Sequence, residues 1–416
     1  MEDILVSVWC QTYNHEAYIK DAIEGFLAQK VNFSYEIIIH DDASTDRTAD
    51  IVKEYEQRYP DRIRGIYQEE NQYSKNWLST KWIYELMAKN CKGKYIAVCE
   101  GDDYWIDVQK LQIQTDYLEQ HPECVMTIHN GIVVNYENNR ICPKNLYEND
   151  CVVSEGDIIK QKIIPLTASG VYRHRIVEMH SFYLELGVGD YTCLLYSLTK
   201  GSIYYFNRIM SVYRFMHSDS WTSSILQDDM LLIIHNVSMI DFLRKYDKDT
   251  GERYRNYIIS RIQKSVTNIM VLCEKRKKKE FEAICEKCNK KTKGKYSRIF
   301  EQLQEQYMQL YDKEYMSYAT RKFIDEHETI VIMGAGRYAK IAANQIISHN
   351  VDFKGFAVSD DQRADIEYRG KKIWKLGEIQ KDAGIIIGIN PLIWDQIIVS
   401  LEKSGLTNYI CPFLLE

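Results

Sequence analysis

The chain has 416 residues, 45% of them hydrophobic, enough for two or three domains with real cores. Its formal net charge of -6 argues against a general nucleic-acid binder, so no nucleic-acid partner is expected. No apolar run approaches the roughly 18 residues needed to span a bilayer. The acidic start MEDILVSVW lacks the basic and apolar parts of a signal peptide. The expectation is therefore a cytoplasmic protein, with peripheral contact at the inner face of a membrane left open. Eleven scattered cysteines read as reduced thiols, and Cys285 with Cys288 is a lone C-x-x-C without the second pair a metal site needs. Tyrosine outnumbers phenylalanine 31 to 12, which suits sugar recognition and ordinary half-buried strands equally.

In chain order, Ile4 to Trp9 predicts a strand that runs into the polar loop Cys10, Gln11, Thr12, Tyr13, Asn14. Ala17, Tyr18, Ala22, Ile23, Phe26 and Leu27 fall at helical spacing. Tyr35 to Ile39 predicts a second strand, ending in His40, Asp41, Asp42, Ala43, Ser44 and Thr45. An amphipathic helix follows from Thr48, stopping before Pro60, then a weaker strand from Arg64 to Tyr67 and a helical pattern from Leu78 to Lys89. The apolar run Tyr95 to Cys99 predicts a buried strand that ends in Glu100, Gly101, Asp102 and Asp103. Three carboxylates at one strand end repel one another and are costly to bury without a positive partner. A divalent cation with a polyphosphate would meet that need, and hard oxygen ligands suit Mg2+ or Mn2+. A solvated acidic turn is the plainer alternative.

Strands alternating with helices predict βαβ units and a mostly parallel, doubly wound sheet. Ligands bind beyond the carboxyl ends of such strands, so the three polar clusters should converge on one rim. The segments V-S-V-x-x-x-T-Y-N, I-I-I-H-D-D-A-S-T-D and G-K-Y-I-A-V-C-E-G-D-D-Y-W together resemble a family 2 glycosyltransferase with the GT-A fold over about the first 220 residues. The resemblance implies a nucleoside-diphosphate sugar as donor and a saccharide or lipid-linked acceptor. It implies that Thr12 and Asn14 line the nucleotide pocket, that Asp41 accepts a hydrogen bond from the base, usually uracil, and that Asp42 and Ser44 shape that turn. Asp102 would contact ribose or metal, and Asp103 would ligate the metal. Glu100 stands where many members carry Asp and is given a supporting part. Trp105 reads either as a wall of the sugar site or as a core anchor.

Inversion at an anomeric carbon needs a carboxylate to take the acceptor proton. Gly187-Val188-Gly189-Asp190-Tyr191 offers one, although from its local sequence alone Asp190 reads first as a helix cap. The G-D-Y-x-x-L resemblance makes Asp190 the expected base. Ser202 to Phe215 is strand-like and leads into Arg214, a candidate partner for phosphate, and His217, a candidate metal or phosphate ligand, with a polar lid at 218–224.

Residues 225–325 read as a helical connector with basic stretches across 275–298. They form either a solvated face or a peripheral contact with anionic lipid. Thr329 to Met333 begins a strand, followed by Gly334-Ala335-Gly336-Arg337 and a helix. A G-x-G-x-x-A turn between strand and helix, with Asp360 further on, matches a phosphate-binding turn with a ribose-holding acid. The stretch resembles the nucleotide-sugar-binding domain of bacterial sugar acetyltransferases. The expected domains are thus 1–224 (GT-A), 225–325 (helical) and 326–416 (small Rossmann-like). The leading expectation is an inverting, metal-dependent glycosyltransferase using a UDP-sugar in bacterial surface polysaccharide assembly. The alternatives are a non-catalytic nucleotide-sugar-binding protein and a bifunctional enzyme with an NAD(P)-dependent C-terminal unit.

Overall fold

The structure, a computed structural model, describes residues 3–76, 79–135, 140–179, 181–215, 228–273, 278–312, 315–359, 370–390 and 393–413. The chain divides into two compact units, Met1–Asp228 and Asp229–Glu416.

The first unit begins as expected, with four parallel strands, β1 (Val6–Thr12), β2 (Tyr35–Asp41), β3 (Ile63–Tyr67) and β4 (Tyr95–Glu100), in the order β3-β2-β1-β4. Helices α1 (Ile19–Leu27), α2 (Thr48–Arg58), α3 (Gln72–Asn76) and α4 (Lys81–Asn90) lie between them in the chain. Ile37, Ile38 and Ile39 are all fully buried, so β2 is covered on both faces, as parallel strands are. α1 buries Ile19, Ala22, Ile23 and Phe26, a stripe at helical spacing.

Beyond β4 the sheet departs from the doubly wound expectation. β5 (Tyr104–Trp105), α5 (Lys110–Gln120), β6 (Cys124–Asn135), β7 (Arg140–Pro143), β8 (Cys151–Val152), α6 (Glu155–Ile159), β9 (Val171–Arg173), α7 (Gly189–Leu198) and β10 (Ser202–Phe215) complete the unit. β9 is antiparallel to both β4 and β6, β10 runs parallel to β6, and β5, β7 and β8 pair antiparallel. For β6 and β7 the cause is chain connectivity: the short link between them permits only antiparallel pairing, whereas parallel pairs need a long crossover. Register shifts in β10 around Phe206, Ile209 and Ser211 mark irregular pairing with β6, and Ser211 then pairs with Trp105 of β5.

The second unit opens with helices α8 (Asp229–Asp249), α9 (Arg255–Cys273), α10 (Lys278–Lys291), α11 (Ser297–Tyr311) and α12 (Tyr318–Asp325). A second sheet follows, with β11 (Ile330–Met333), α13 (Arg337–Ser348), β12 (Gly355–Val358), β13 (Lys372–Lys375), β14 (Gly384–Ile387), α14 (Trp394–Lys403) and β15 (Tyr409–Ile410). All five strands are parallel, in the order β13-β12-β11-β14-β15. Val331, Met333, Ile385 and Ile387 pack with Trp394, Ile398 and Leu401, whereas Ile330, Ile332 and Ile386 pack with Ala339, Ala342 and Ile346. The separate helical connector expected over 225–325 is not seen as its own unit. Ile259 of α9 belongs to the sheet's hydrophobic cluster. Gln309 of α11 and Gln345 of α13 exchange buried hydrogen bonds of 2.7 Å.

Candidate active site

Register brings the three polar clusters together at the carboxyl ends of β1, β2 and β4. Thr12 lies opposite Asp41, and Gln11 opposite Glu100. The Asn14 and Ala43 backbones adopt φ of +53° and +62°, folding the loops after β1 and β2 back on each other. The Asn14 N–H donates to Ser44 Oγ at 2.9 Å, and the Thr45 N–H donates to Asn14 Oδ1 at 2.8 Å. Asp41 is buried and accepts from the Ser44 N–H at 3.1 Å and the Ser44 hydroxyl at 2.5 Å. Burial nevertheless raises its pKa. Asp42 is engaged elsewhere. Its two carboxylate oxygens accept from the Gln72 and Tyr73 N–H groups at 2.8 and 2.9 Å, capping α3. The resemblance gives Asp42 a part in shaping the donor-pocket turn, and its carboxylate also holds the 72–76 turn.

The acidic turn is tightly packed. A Cβ on Gly101 would lie 2.6 Å from Thr12 Oγ1 and 3.0 Å from His15 Nδ1, so only glycine lets the turn approach the first loop. His15 Nε2 stands 3.8 Å from the Asp102 carboxylate. Asp103 is fully buried; its Oδ1 accepts from the Arg214 N–H at 3.0 Å, and its Oδ2 has no hydrogen-bond partner among the described residues. Burial first, then the charges of Asp102 and Glu100, push the Asp103 carboxyl well above the usual range. Glu100 is pushed up to about 8 by burial, with Asp102 and Asp190 adding to the effect.

Arg214 was expected to meet phosphate. Its guanidinium donates to the Asp102 carbonyl at 2.6 Å and pairs with Asp21 at 2.5 Å, and it lies 5.0 and 4.4 Å from the Tyr18 and Tyr104 ring centres. The end of β10 is thereby tied to the acidic turn and to α1. Trp105 is a core anchor: it is buried, its Nε1 donates to the Ala168 carbonyl at 3.0 Å, and its ring meets Phe26 edge-on at 4.7 Å.

Asp190 sits in the first turn of α7, where its Oδ1 accepts from the adjacent Tyr191 N–H at 2.7 Å. Tyr84 of α4 donates to the Gly189 carbonyl at 2.9 Å and anchors that turn. Asp190 is exposed, and desolvation by the surrounding protein raises its pKa. Its charge adds to the upward shift of the Glu100 carboxyl.

The family described as Glycosyl transferase family 2 matches residues 7–148. An uncharacterized protein of Mycobacterium tuberculosis is 41% identical over 124 residues, covering 30% of this chain and 34% of its own length. The putative teichuronic acid biosynthesis glycosyltransferase TuaG of Bacillus subtilis is 34% identical over 114 residues, 27% of this chain and 42% of its own. The chain spans about a third of the length of the first curated relatives it matches. The crystal structure of residues 1–349 of S. aureus TarS with UDP-GlcNAc aligns with a TM-score of 0.44 at 14% identity, over 74% of this chain and 92% of that one.

The glycosyl transferase match ends before Asp190 and Arg214, so these two are placed by the geometry alone. Among the described residues no three His, Cys, Asp or Glu side chains gather to hold a metal ion by themselves. Mg2+ and Mn2+ are commonly held by one or two carboxylates plus substrate phosphates. Asp102 and the orphan oxygen of Asp103 fit that smaller donor set. His217 and Asp360 lie outside the described residues.

In the second unit, Gly334 has φ +104° and a Cβ there would lie 2.7 Å from the Gly388 carbonyl, whereas a Cβ on Gly336, before Arg337 begins α13, would meet nothing within 4 Å among the described residues. Two features of the first unit escaped sequence reading. His15 was given no part, although the Gly101 turn closes against it. Lys110, at the start of α5, is fully buried with its Nζ 4.1 Å from the Trp105 ring centre.

Proposed function

We propose that the protein is an inverting, metal-dependent glycosyltransferase that moves a sugar from a nucleoside diphosphate, UDP in the first instance, to a saccharide or lipid-linked acceptor. The setting would be bacterial surface polysaccharide assembly on the cytoplasmic side. The observation that carries this reading is the register that sets Thr12 opposite Asp41 and Gln11 opposite Glu100, so that the polar clusters after β1, β2 and β4 share one edge of the sheet. Support for the class comes from the family match and from relatives whose names describe teichuronic acid biosynthesis and poly(ribitol-phosphate) glycosylation.

Asp41, set by Ser44, would receive the base, with Thr12 and Asn14 lining the pocket. Asp102 and Asp103 would hold a Mn2+ or Mg2+ ion, whose charge offsets that of the departing diphosphate. Asp190 would accept the acceptor hydroxyl's proton as its oxygen bonds to the anomeric carbon and the bond from that carbon to the diphosphate oxygen breaks. A raised pKa suits a carboxylate that must take a proton near neutrality. Arg214 would act as a tether of the acidic turn. We further propose that the second unit is a Rossmann-like module whose turn at Gly334, Gly336 and Arg337 takes a nucleotide phosphate, with Asp360 on the ribose.

The test is UDP release by the purified full chain across a panel of UDP-sugars with Mn2+. The expected result is release from one donor, abolished by chelation. A donor that raises the melting temperature with no release or transfer would favour a non-catalytic binding protein.

A further inference from the structure

The basic region expected across 275–298 is not uniform. At its start, Lys278 lies 3.9 Å from Glu282, and exposed Glu280 follows Lys279, so that turn of α10 is mixed in charge. At its end the balance is one-sided. Residues 287–298 contain six cations, Lys287, Lys290, Lys291, Lys293, Lys295 and Arg298, and no acidic residue. All six are exposed, while Cys288, Thr292 and Tyr296 turn inward. Among the described residues Lys287, Lys290, Lys293 and Arg298 form no ion pair.

The backbone fixes this display. The chain reverses between α10 and α11 through Lys293 and Gly294, with φ of +52° and +76°. The Gly294 N–H donates to the Asn289 carbonyl at 2.9 Å and the Lys293 N–H to the Lys290 carbonyl at 3.1 Å, the paired bonds of a helix-ending motif. Asn289 and Ser297 are also bonded across the turn at 3.1 Å. The cations therefore stand on a hydrogen-bonded reversal of the chain rather than along a loose tail. A lysine held at positive φ, where glycine or asparagine is easier, is a local cost kept within this cluster.

Some of this charge complements the carboxyl end of α10, which favours cations. That accounts for Lys287, Lys290 and Lys291, and leaves Lys293, Lys295 and Arg298 beyond the helix end. The whole chain has a formal net charge of -6, so outside these twelve residues it is more acidic still. An anionic surface would repel most of the molecule and attract this turn, which would fix an orientation as well as an affinity.

We propose that the reversal between α10 and α11 is a docking surface for the anionic headgroups of a lipid bilayer. Clusters of four to eight cations are the usual signature of such contacts, each cation adding roughly fivefold in affinity near the surface. No described helix is long and apolar enough to cross a membrane, so a surface contact of this kind needs no spanning segment. Six charges on a turn, exposed and without a surrounding wall, match a flat array of headgroups better than a single small anion. The docking surface is independent of the transfer reaction.

The experiment is sedimentation of the full chain with vesicles of phosphatidylcholine alone or mixed equally with phosphatidylglycerol, at low and high salt. The expected result is binding to the mixed vesicles only, lost in high salt. The triple reversal K290E/K291E/K293E should weaken it by about 100-fold or more. The control K20E/K53E/K89E changes net charge equally, on exposed helix positions of the first unit, and should retain binding. Unchanged circular dichroism and melting temperature of both triples would separate docking from folding. The proposal is overturned by equal binding to neutral vesicles, by no binding, or by equal loss in both triples. Binding of inorganic polyphosphate without vesicle binding would assign the patch to soluble polyanions and also overturn it.

Discussion

The two units share a strand order, β3-β2-β1-β4 in the first and β13-β12-β11-β14 in the second. Their strand ends have opposite chemistry. The first sheet terminates in Thr12, Asp41 and Glu100, whereas the second terminates in Met333, Val358 and Ile387, with glycine after β11 and β14. One end gathers carboxylates with raised pKa values, and the other offers backbone N–H groups at the start of α13. The shared architecture thus supplies only a rim; the residues placed on it decide whether it can do charge-demanding chemistry or only cradle a phosphate.

The largest effect expected from breaking this contrast is at Asp190. Asp190→Asn should lower turnover by about 10²- to 10⁴-fold, the range for a positioned acid or base, while donor affinity measured by titration calorimetry stays near wild type. Retention of most of the rate would remove Asp190 from the proton transfer.

A pair of glycine substitutions sharpens the contrast further. Gly101→Ala places a methyl group into Thr12 and His15, and transfer should fall on the order of 100-fold through misplacement of the acidic turn. Gly336→Ala meets nothing within 4 Å, so steady-state rate and melting temperature should match wild type. Similar losses in both would mean that the second unit's turn contributes to transfer.

Sequence reading reached the four parallel strands of the first unit and the alternating pattern of the second. Runs such as Ile37 to Ile39 and Ile385 to Ile387 state their burial locally. It also found the convergence of Thr12, Asp41 and Glu100, because parallel strands put equivalent loops on one side. It missed what depends on a distant partner. The Asp42 cap needs the Gln72 and Tyr73 N–H groups, about thirty residues away. The Arg214 tether needs Asp21, from the opposite end of the unit. The helices of 225–325 look like a connector until Gln309 meets Gln345. Lys110 gives no local sign of burial, which shows only where its Nζ meets the Trp105 ring.

Lys110 supplies the next prediction. In the second unit a buried polar pair, Gln309 with Gln345, satisfies itself, whereas the buried Lys110 Nζ has no hydrogen-bond partner among the described residues. Burial lowers the Lys110 pKa to about 7. The unfolded chain keeps that proton up to the usual lysine value, so wild-type stability should rise as pH increases from about 7 toward 10. Lys110→Met should stabilise the protein by about 1–3 kcal/mol at pH 7 and below, with the gain shrinking above it, as read by urea unfolding at several pH values. A destabilised Met variant at pH 6 would show that the cation's contact with Trp105 outweighs its desolvation.

The smallest effect belongs to the cap. Asp42→Ala should cost about 1 kcal/mol and loosen the 72–76 turn, with faster amide exchange at Gln72 and Tyr73. Loss of uridine diphosphate affinity far beyond that stability change would return Asp42 to the donor pocket.

The most direct test is a crystal of the full chain grown with UDP and Mn2+, with data collected at the manganese absorption edge. An anomalous peak is expected at the Asp102 carboxylate, with the diphosphate beside it and the uracil near Asp41. A nucleotide held only at Gly334–Arg337, with no manganese near Asp102, would contradict the proposed site.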